Sequence, residues 1–561
     1  MRRIHRYASL ALCATLLAAC GKHEEAGLPL SYVPADTPYV YANVDPLPKA
    51  VIDQWSQRMQ QYWPTLFGMY EEMLKNAPAN ADPQKARFVK IARVLVDELK
   101  TRNTWAKLNE IGLKSDGHAA IYGVGMVPVA RLELSDPNAF RAEIARIEDK
   151  LGEKLTVAKT GAQEYWQFGD EDVSIAVAIE GTHLVVTLIP RGAADDLKQT
   201  LLGVTRPAQN LAGAGTLDAL AKQYGYTPYG SGYVDFVRIT ERLTSAPTGS
   251  DAAFAKAIDL PTNATDATCR SEALEIAHKF PRLVAGVEEL SPQRMRVGVQ
   301  LDIEQSLAMQ LVGALGAAPG SAQPGSGLLD LAISVPVLKL KDFWLKQADA
   351  VAAKPYACAA LASVNDEYRD SKAKIDVTVP PPFSDLTGFR VTLDKLDAGG
   401  GGMPDVEGKL LMGSTNPAAA LAMAELSMPP LKSLKLVPDG KAVPLPAGAA
   451  PPGTPPLFAA MSDKAIALAA GVGEDATLGD YLKAPAASDA VFMRMYFSGK
   501  FYATLGQWFG KMKAALPPDK QAQLDQQAKL FALYEQWIRS AEIRLVATAS
   551  GISLHEIVEQ N

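Results

Sequence analysis

The sequence predicts an α+β fold made of two tandem, similar repeats, each a mainly antiparallel sheet with helices packed on one face. Three observations lead to this prediction. The chain has 561 residues, more than one hydrophobic core usually serves, so at least two domains are expected. Short alternating strands joined by tight turns predict antiparallel hairpins. The same order of strands and helices also occurs twice along the chain, which predicts a repeat.

The corresponding elements keep their order in the two predicted repeats. In both, a strand runs into a capping residue and a proline at the first helical position, Asp136-Pro137 in one repeat and Asn416-Pro417 in the other. The other pairs are strand and helix starts at 39–44 and 329–335, hairpins at 173–189 and 457–470, strands followed by helices at 231–239 and 491–497, and strand pairs at 282–303 and 543–558. Chance recurrence of common strand and helix patterns is the alternative.

These pairs place the first repeat at 30–312 and the second at 328–561, joined by a Gly/Pro/Ser linker at 313–327. Apolar residues spaced by three or four over 51–66 and 88–99, with a break at 76–83, predict a helical hairpin inserted into the first repeat.

Composition excludes several classes of protein. Hydrophobic residues make up 48% of the chain and charged residues 21%, ordinary values that argue against disorder and against a multi-span membrane protein. The net charge is −6, and it becomes more negative if Arg2, Arg3 and Arg6 are removed with a leader segment. Nucleic acid is therefore not an expected partner.

The first residues predict a processed, lipid-anchored protein. Three arginines precede an apolar stretch at 8–17 that is too short to span a bilayer. Residues 17–20, Leu-Ala-Ala-Cys, resemble the lipobox of bacterial lipoproteins. The resemblance implies a signal peptide at 1–19, a diacylglycerol with palmitate-type chains on Cys20, and a lipidated tether at 20–29. A plain secretory peptide is the alternative.

The predicted anchor fixes the expected location and redox state. Gly21 stands where an aspartate would resemble an inner-membrane retention signal, so the periplasmic face of the outer membrane is favoured over the inner membrane. With Cys13 removed and Cys20 acylated, Cys269 and Cys358 remain in an oxidising compartment and predict one disulfide. Two free buried thiols are the alternative, and no histidine lies close enough in sequence to suggest a metal site.

The sequence contains no recognisable catalytic constellation. His118, His183, His278 and His555 are widely separated, and there is no HExxH helix, GxSxG elbow or GxxxxGK[ST] phosphate loop. We therefore predict no catalytic residue, no metal site and no cofactor.

A glycine-punctuated stretch offers a possible ligand contact. It contains Tyr224, Tyr226, Tyr229 and Tyr233, and aromatic faces with hydroxyl tips suit glycan or peptide contact. Tyrosines that close off the edge of the sheet are the alternative.

The chain has a family resemblance that rests on three segments. They are residues 32–39, Tyr-Val-Pro-Ala-Asp-Thr-Pro-Tyr, the strand and turn at 123–136, and residues 226–229, Tyr-Thr-Pro-Tyr. It resembles uncharacterised Gram-negative lipoproteins and domains of unknown function whose mature part begins with a similar V-P-A-D-T-P phrase. The resemblance implies an envelope location and no activity, and Cys20 is the one functional residue that it carries over.

The leading functional hypothesis is a non-enzymatic, membrane-anchored protein that binds an envelope partner through a cleft between the repeats or through exposed sheet edges. A periplasmic carrier or chaperone for a lipid or other apolar ligand is the second hypothesis. A cell-wall or glycan hydrolase is the third.

Overall fold

The computed structural model describes residues 28–75, 83–169, 173–260, 265–397, 405–446, 448–450, 453–512 and 517–561. The chain divides into two compact units, unit 1 at Met1–Val297 and unit 2 at Gly298–Asn561. The predicted α+β class with antiparallel sheet is confirmed, with 17 α-helices and 19 strands among the described residues.

Unit 1 is built on an antiparallel sheet in the order β4-β5-β6-β7-β3-β2-β1-β8-β9. Its strands are β1 Tyr39–Ala42, β2 Ala119–Val124, β3 Val127–Glu133, β4 Thr156–Thr160, β5 Gln163–Gly169, β6 Val173–Glu180, β7 His183–Pro190, β8 Ser231–Asp235 and β9 Arg282–Leu290. The chain passes into unit 2 within β10, Arg294–Asp302.

The helices of unit 1 connect and cover these strands. They are α1 Lys49–Lys75, α2 Pro83–Lys100, α3 Trp105–Asn109, α4 Pro137–Leu151, α5 Asp195–Leu202, α6 Leu211–Ala214, α7 Thr216–Tyr224, α8 Phe236–Thr244, α9 Gly249–Ala257 and α10 Ala267–Lys279, and a 3₁₀ turn lies at Pro29–Tyr32. The two predicted inserted helices correspond to α1 and α2, where the indole nitrogen of Trp63 donates to the Leu99 carbonyl at 2.6 Å. Most of the predicted break between them, 76–82, lies outside the described residues.

Helices pack on both faces of the unit 1 sheet, so the prediction of helices on one face is wrong here. Tyr165 and Trp166 are neighbours in β5 and therefore point to opposite faces. Tyr165 belongs to the main core with Leu201 of α5 and Leu217 of α7. Trp166 packs in a separate cluster with Ile147 of α4. Hairpin patterns identify the two faces of a sheet but do not show how many of them are covered.

Unit 2 has an antiparallel sheet in the order β14-β15-β16-β13-β12-β11-β17-β18-β19. Its strands are β11 Leu329–Ser334, β12 Leu386–Asp397, β13 Asp405–Ser414, β14 Val443–Pro444, β15 Leu457–Met461, β16 Ala465–Ala470, β17 Val491–Ser498, β18 Ile538–Thr548 and β19 Gly551–Gln560. Its helices are α11 Gln305–Leu315, α12 Val337–Ala353, α13 Ala362–Ile375, α14 Pro417–Ser427, α15 Asp475–Lys483, α16 Gly499–Met512 and α17 Pro518–Trp537, with 3₁₀ turns at Ala359–Leu361, Phe383–Asp385 and Pro429–Ser433.

Local capping explains where several elements begin. Asp136 accepts from the Asn138 and Ala139 amides at the start of α4, and Asn416 accepts from the Ala419 amide at the start of α14, as both sequences predict. Residues 231–239 are not a continuous strand. The Asp235 side chain accepts from the Arg238 amide, which caps α8 and ends β8 at that aspartate.

The run at 313–327, predicted as a linker, is packed into unit 2. Ala318 and Ser321 are fully buried. The Ala318 amide donates to the Val491 carbonyl at 2.8 Å, and the Ser321 hydroxyl accepts from the Ala487 amide at 2.9 Å. Glycine and proline predicted an irregular segment, but its small residues also allow the close packing seen here.

Candidate ligand-binding face

One face of the unit 2 sheet is formed by apolar residues on six neighbouring strands, and we call it the apolar face. Successive residues of a strand point to opposite faces, and directly paired residues share a face. The register forms three parallel rows of residues across β16, β13, β12, β11, β17 and β18. The middle row consists of Leu468, Leu410, Val391, Leu331, Met495 and Ile543. One outer row consists of Ala470, Gly408, Leu393, Leu329, Phe497 and Ala541, and the other of Ile466, Met412, Phe389, Ile333, Met493 and Leu545.

The middle row of the apolar face remains accessible to solvent. Leu468, Leu410 and Val391 are 41%, 39% and 37% exposed, and they are direct neighbours in the sheet. The other three members of the row are half-buried. Scattered exposed apolar residues are ordinary, whereas a contiguous apolar surface is one on which another apolar surface can bind.

Helices contact the two outer rows, and the exposed part of the middle row is limited to Leu468, Leu410 and Val391. Ile466 belongs to a cluster that contains Leu421 of α14. On the other side, the Phe497 ring lies 6.3 Å from that of Phe501 and 5.9 Å from that of Tyr502, both in α16. The exposed part of the middle row lies on β16, β13 and β12, between the two outer rows that these helices contact.

The opposite face of the same strands buries charged side chains. Asp330 and Arg494 are fully buried and Arg390 is 3% exposed. Asp330 accepts from Arg390 through both carboxylate oxygens, at 3.1 and 2.8 Å, and from Arg494 at 2.7 Å. Charged side chains normally face water, and apolar side chains normally face the core. The central strands of unit 2 therefore have the reverse of the usual arrangement.

Surrounding groups hold this buried ionic cluster in place. The Arg390 guanidinium lies 4.6 Å from the centre of the Tyr481 ring of α15. Arg494 donates to the Gly320 carbonyl at 3.1 Å and also to the Gln323 carbonyl. Burial lowers the pKa of Arg494, although Asp330 opposes this effect. The cluster therefore ties the packed run at 313–327 to three strands of the sheet.

Unit 1 has a similar apolar row on its own sheet. The row crosses nine strands through Ala285, Gly232, Tyr41, Ile121, Ala130, Val186, Val177, Trp166 and Val157. Tyr41 and Val157 are exposed, while Trp166, Val177 and Val186 pack in a cluster with Phe140 of α4. Helix α4 thus covers the part of this row that lies on β5, β6 and β7.

The opposite face of the unit 1 sheet also buries polar groups. Arg131 is fully buried, 3.7 Å from the centre of the Tyr32 ring, and donates to Glu180 at 3.1 Å. His183 is 2% exposed, and neither of its ring nitrogens has a hydrogen-bond partner among the described residues. Burial, followed by the charge of Arg131, lowers the pKa of His183 to about 4.

A polar cleft of about 460 Å³ opens beside α8, α9 and α10 in unit 1. Arg242 lines it and bridges Asp36 at 2.6 Å and Asp251 at 2.8 Å. Arg238 donates to the carbonyls of Ala35 and Thr37 at 3.2 and 2.9 Å. The V-P-A-D-T-P phrase at 33–38 therefore joins the start of β1 to α8, which is a structural role.

The four tyrosines predicted as possible ligand contacts pack mainly into unit 1. Tyr226 and Tyr233 are buried in its main core, and Tyr224 packs against that core. The Tyr224 and Tyr226 rings stack at 5.8 Å, and the Tyr224 hydroxyl accepts from Arg282 at 3.0 Å. Tyr229 is half-buried. Three of the four tyrosines are therefore packed internally, and ligand contact by this stretch stays a prediction.

Cys269 and Cys358 form the predicted disulfide. Cys269 lies in the first turn of α10, and Cys358 follows α12, since Pro355 cannot continue that helix. Among the described residues, no group of three or more His, Cys, Asp and Glu side chains could hold a metal ion.

The predicted signal peptide, Cys20 and most of the tether lie outside the described residues. Within the part of the chain that the structure describes, no helix combines the length and hydropathy needed to cross a bilayer.

The apolar face was not predicted from the sequence. The alternation of β11 and β12 was visible, with Leu329, Leu331 and Ile333 on one side and Asp330 on the other. The missing signal was the pairing of Asp330 with Arg390 and Arg494, which are distant in sequence. The sequence shows Arg390 and Arg494 at alternating strand positions, but it does not show that both strands pair with β11 beside Asp330.

Comparisons of the chain with protein-family models, curated proteins and solved structures gave no match. The lipoprotein-family resemblance of residues 32–39 stays a prediction from the sequence.

Proposed function

We propose that the protein is a lipid-anchored, non-enzymatic binding protein of the bacterial envelope, and that its binding surface is the apolar face of unit 2. The supporting observation is the reversed alternation of β11, β12 and β17. Asp330, Arg390 and Arg494 are buried while the intervening apolar residues form an accessible face. Burying charge costs free energy, and we infer that the apolar residues left on the other face are used for binding.

Binding is favoured over catalysis at this face because of its chemistry. The three rows contain aliphatic, phenyl, thioether and glycine positions. None of these groups can act as a general acid, a general base or an oxyanion donor. An apolar surface of this kind stabilises a complex by excluding water from both partners.

The location proposed with this function comes from the N-terminal sequence. The lipobox-like residues 17–20 and Gly21 support attachment through Cys20 to the periplasmic face of the outer membrane. An acyl anchor holds a folded domain at the membrane without crossing it. The membrane and an apolar envelope partner are thus the proposed partners.

We also propose that the two units are tandem repeats of one ancestral unit. The strand order β5-β6-β7-β3-β2-β1-β8-β9 of unit 1 corresponds, strand for strand, to β14-β15-β16-β13-β12-β11-β17-β18 of unit 2. In each unit a proline-initiated helix follows the third strand, α4 in one and α14 in the other. Both units bury an arginine on one sheet face and place an apolar row on the other.

In-cell photocrosslinking tests the binding function. A photoreactive amino acid replaces Val391, Leu410 or Leu468, and matched controls carry it at Leu243 of α8 or Leu426 of α14, which are 52% and 71% exposed. We expect adducts from the three face positions at several times the control level. Equal yields from face and control positions would rule out the apolar face as the binding surface.

A further inference from the structure

We propose that residues 29–33 form an acid-released latch, which closes over His183 while that imidazole is neutral and detaches from unit 1 when the imidazole gains a proton. We call these residues the latch segment. The inference concerns a conformational change within unit 1 and does not depend on the binding function proposed for unit 2. Its grounds are the way the segment is held, the cations around it, and the surroundings of His183.

The latch segment is held mainly by its side chains. The amides of Ser31 and Val33 donate to carbonyls three residues earlier, so these bonds are local. Leu30, Tyr32 and Val33 are buried in the main core of unit 1. A backbone bond to the rest of the unit comes only at the end of the segment, where the Leu211 amide donates to the Val33 carbonyl at 3.0 Å. Such a segment can detach while the sheet stays paired, because its opening breaks few backbone hydrogen bonds.

Tyr32 contacts two cations and one histidine. The Arg131 guanidinium lies 3.7 Å from the centre of the Tyr32 ring and the Arg206 guanidinium lies 4.5 Å from it. The Tyr32 hydroxyl accepts from Arg206 at 2.8 Å. The His183 ring lies nearly perpendicular to the Tyr32 ring, with the ring centres 5.4 Å apart. A proton on His183 would therefore place a third positive charge beside the same ring, and like charges repel strongly where water is excluded.

His183 has no hydrogen bond that would stabilise its cation. The residue is 2% exposed, and neither ring nitrogen has a hydrogen-bond partner in the part of the chain that the structure describes. An imidazolium carries two N–H donors, and burying a charged group without a partner costs free energy. The closed latch therefore favours the neutral imidazole.

The carboxylates near His183 are paired with other cations. The charged and titratable groups that face His183 are Arg131 and Glu133 of β3, Glu180 of β6, Arg206 after α5, His118 before β2, and Tyr32 of the latch segment. Glu133 accepts from Lys114 at 3.0 Å, and Glu180 accepts from Arg131 at 3.1 Å. Burial, followed by the charge of Arg131, lowers the pKa of His183 to about 4, against about 6.5 in water.

Detachment of Tyr32 uncovers His183, so the open latch binds a proton that the closed latch excludes. Between pH 7 and 4.5, a pKa of about 4 in the closed state and about 6.5 in the open state raises the equilibrium constant for opening about 60-fold. The five released residues add up to about 17 Å of extended chain in front of unit 1. With the proposed attachment through Cys20, acid would lengthen the tether that holds unit 1.

Amide hydrogen exchange tests the latch. The full chain, produced with Cys20→Ser, is compared at pH 7 and 4.5, and the rates are corrected for the intrinsic pH dependence of exchange. We expect the protection of the Val33 and Leu211 amides to fall about 60-fold on acidification. Amides of β2, which is paired on both sides by β1 and β3, should change by less than about threefold, because the sheet stays closed.

Neutral replacements link the change to His183. In His183→Leu and in His183→Gln, the protection of the Val33 amide should differ by less than about twofold between the two pH values. The second variant covers the case in which the first folds poorly. His278→Gln is the matched control, because this histidine is exposed on α10, and it should behave like the parent chain. Tyr32→Phe loses the hydrogen bond from Arg206 and should speed exchange by the same factor at both pH values.

Three results would overturn the inference. The first is unchanged protection of the Val33 amide in the parent chain between pH 7 and 4.5. The second is a fall in protection that persists in both His183 variants. The third is an equal fall in β2, which would mean that acid opens unit 1 as a whole and that residues 29–33 are not a separate latch.

Discussion

Replacing Asp330 by asparagine is expected to destabilise unit 2 by about 4 kcal/mol, because it leaves two buried guanidinium groups without a counter-ion. Asp330 accepts three charge-assisted hydrogen bonds, at 3.1 and 2.8 Å from Arg390 and at 2.7 Å from Arg494. Each such bond contributes roughly 1.5–3 kcal/mol. Asparagine keeps one acceptor oxygen and directs an amide donor at the positive groups, so most of this stabilisation is lost.

Urea unfolding measures this effect, followed by backbone circular dichroism and by tryptophan fluorescence, to which Trp344, Trp508 and Trp537 contribute from unit 2. Asp349→Asn is the matched control, since its ion pair with Lys372 is solvent-exposed and such pairs contribute less than about 1 kcal/mol. The triple variant Asp330→Leu, Arg390→Met, Arg494→Met removes every charge together and should cost less than Asp330→Asn alone. A loss below about 1 kcal/mol for Asp330→Asn would refute the reasoning.

Three further predictions concern other parts of the chain. His183 has a folded-state pKa of about 4 against about 6.5 when unfolded, so the unfolded state binds the extra proton. The contribution of His183 to the free energy of unfolding is therefore complete above pH 6.5 and falls by roughly 3 kcal/mol between pH 6.5 and 4. His183→Leu should remove this loss, measured by urea titrations at pH 7 and 4.5. An unchanged loss in the variant would contradict the assignment of the pH dependence to His183. Reduction of the Cys269–Cys358 disulfide should add the mass of two hydrogens. In the chain-entropy model it should also lower the free energy of unfolding by about 4–5 kcal/mol, and an unaltered unfolding curve would contradict this prediction. Cys20→Ala should move the protein from the membrane to the soluble fraction of lysed cells, and continued sedimentation with membranes would argue against the lipid anchor.

Much of the fold could be predicted because its signals are local. Asp136 and Asn416, each followed by proline, place the starts of α4 and α14, and the alternating runs place the hairpins β6–β7 and β15–β16. These features depend on residues only a few positions apart. The end of β8 was missed because Asp235 fits a strand equally well until its side chain caps α8.

The candidate site could not be predicted for a different physical reason. Alternation in β11 shows that Leu331 and Asp330 lie on opposite faces, but it does not show which face is covered. The choice depends on Arg390 and Arg494, which neutralise Asp330 from two other strands. Such long-range charge pairing reverses the usual rule, and one sequence alone does not contain it. The tyrosines at 224–233 show the opposite case, since their composition suggested ligand contact and their packing is internal.

The exposed apolar residues of unit 2 also bear on how the protein is made. Val391, Leu410 and Leu468 are direct neighbours in the sheet and are exposed, and uncovered apolar patches promote aggregation. On the proposed route to the periplasm, a holdase that covers these residues in transit would keep the chain soluble. Overproduction without such cover should therefore yield insoluble protein, although each molecule is correctly folded.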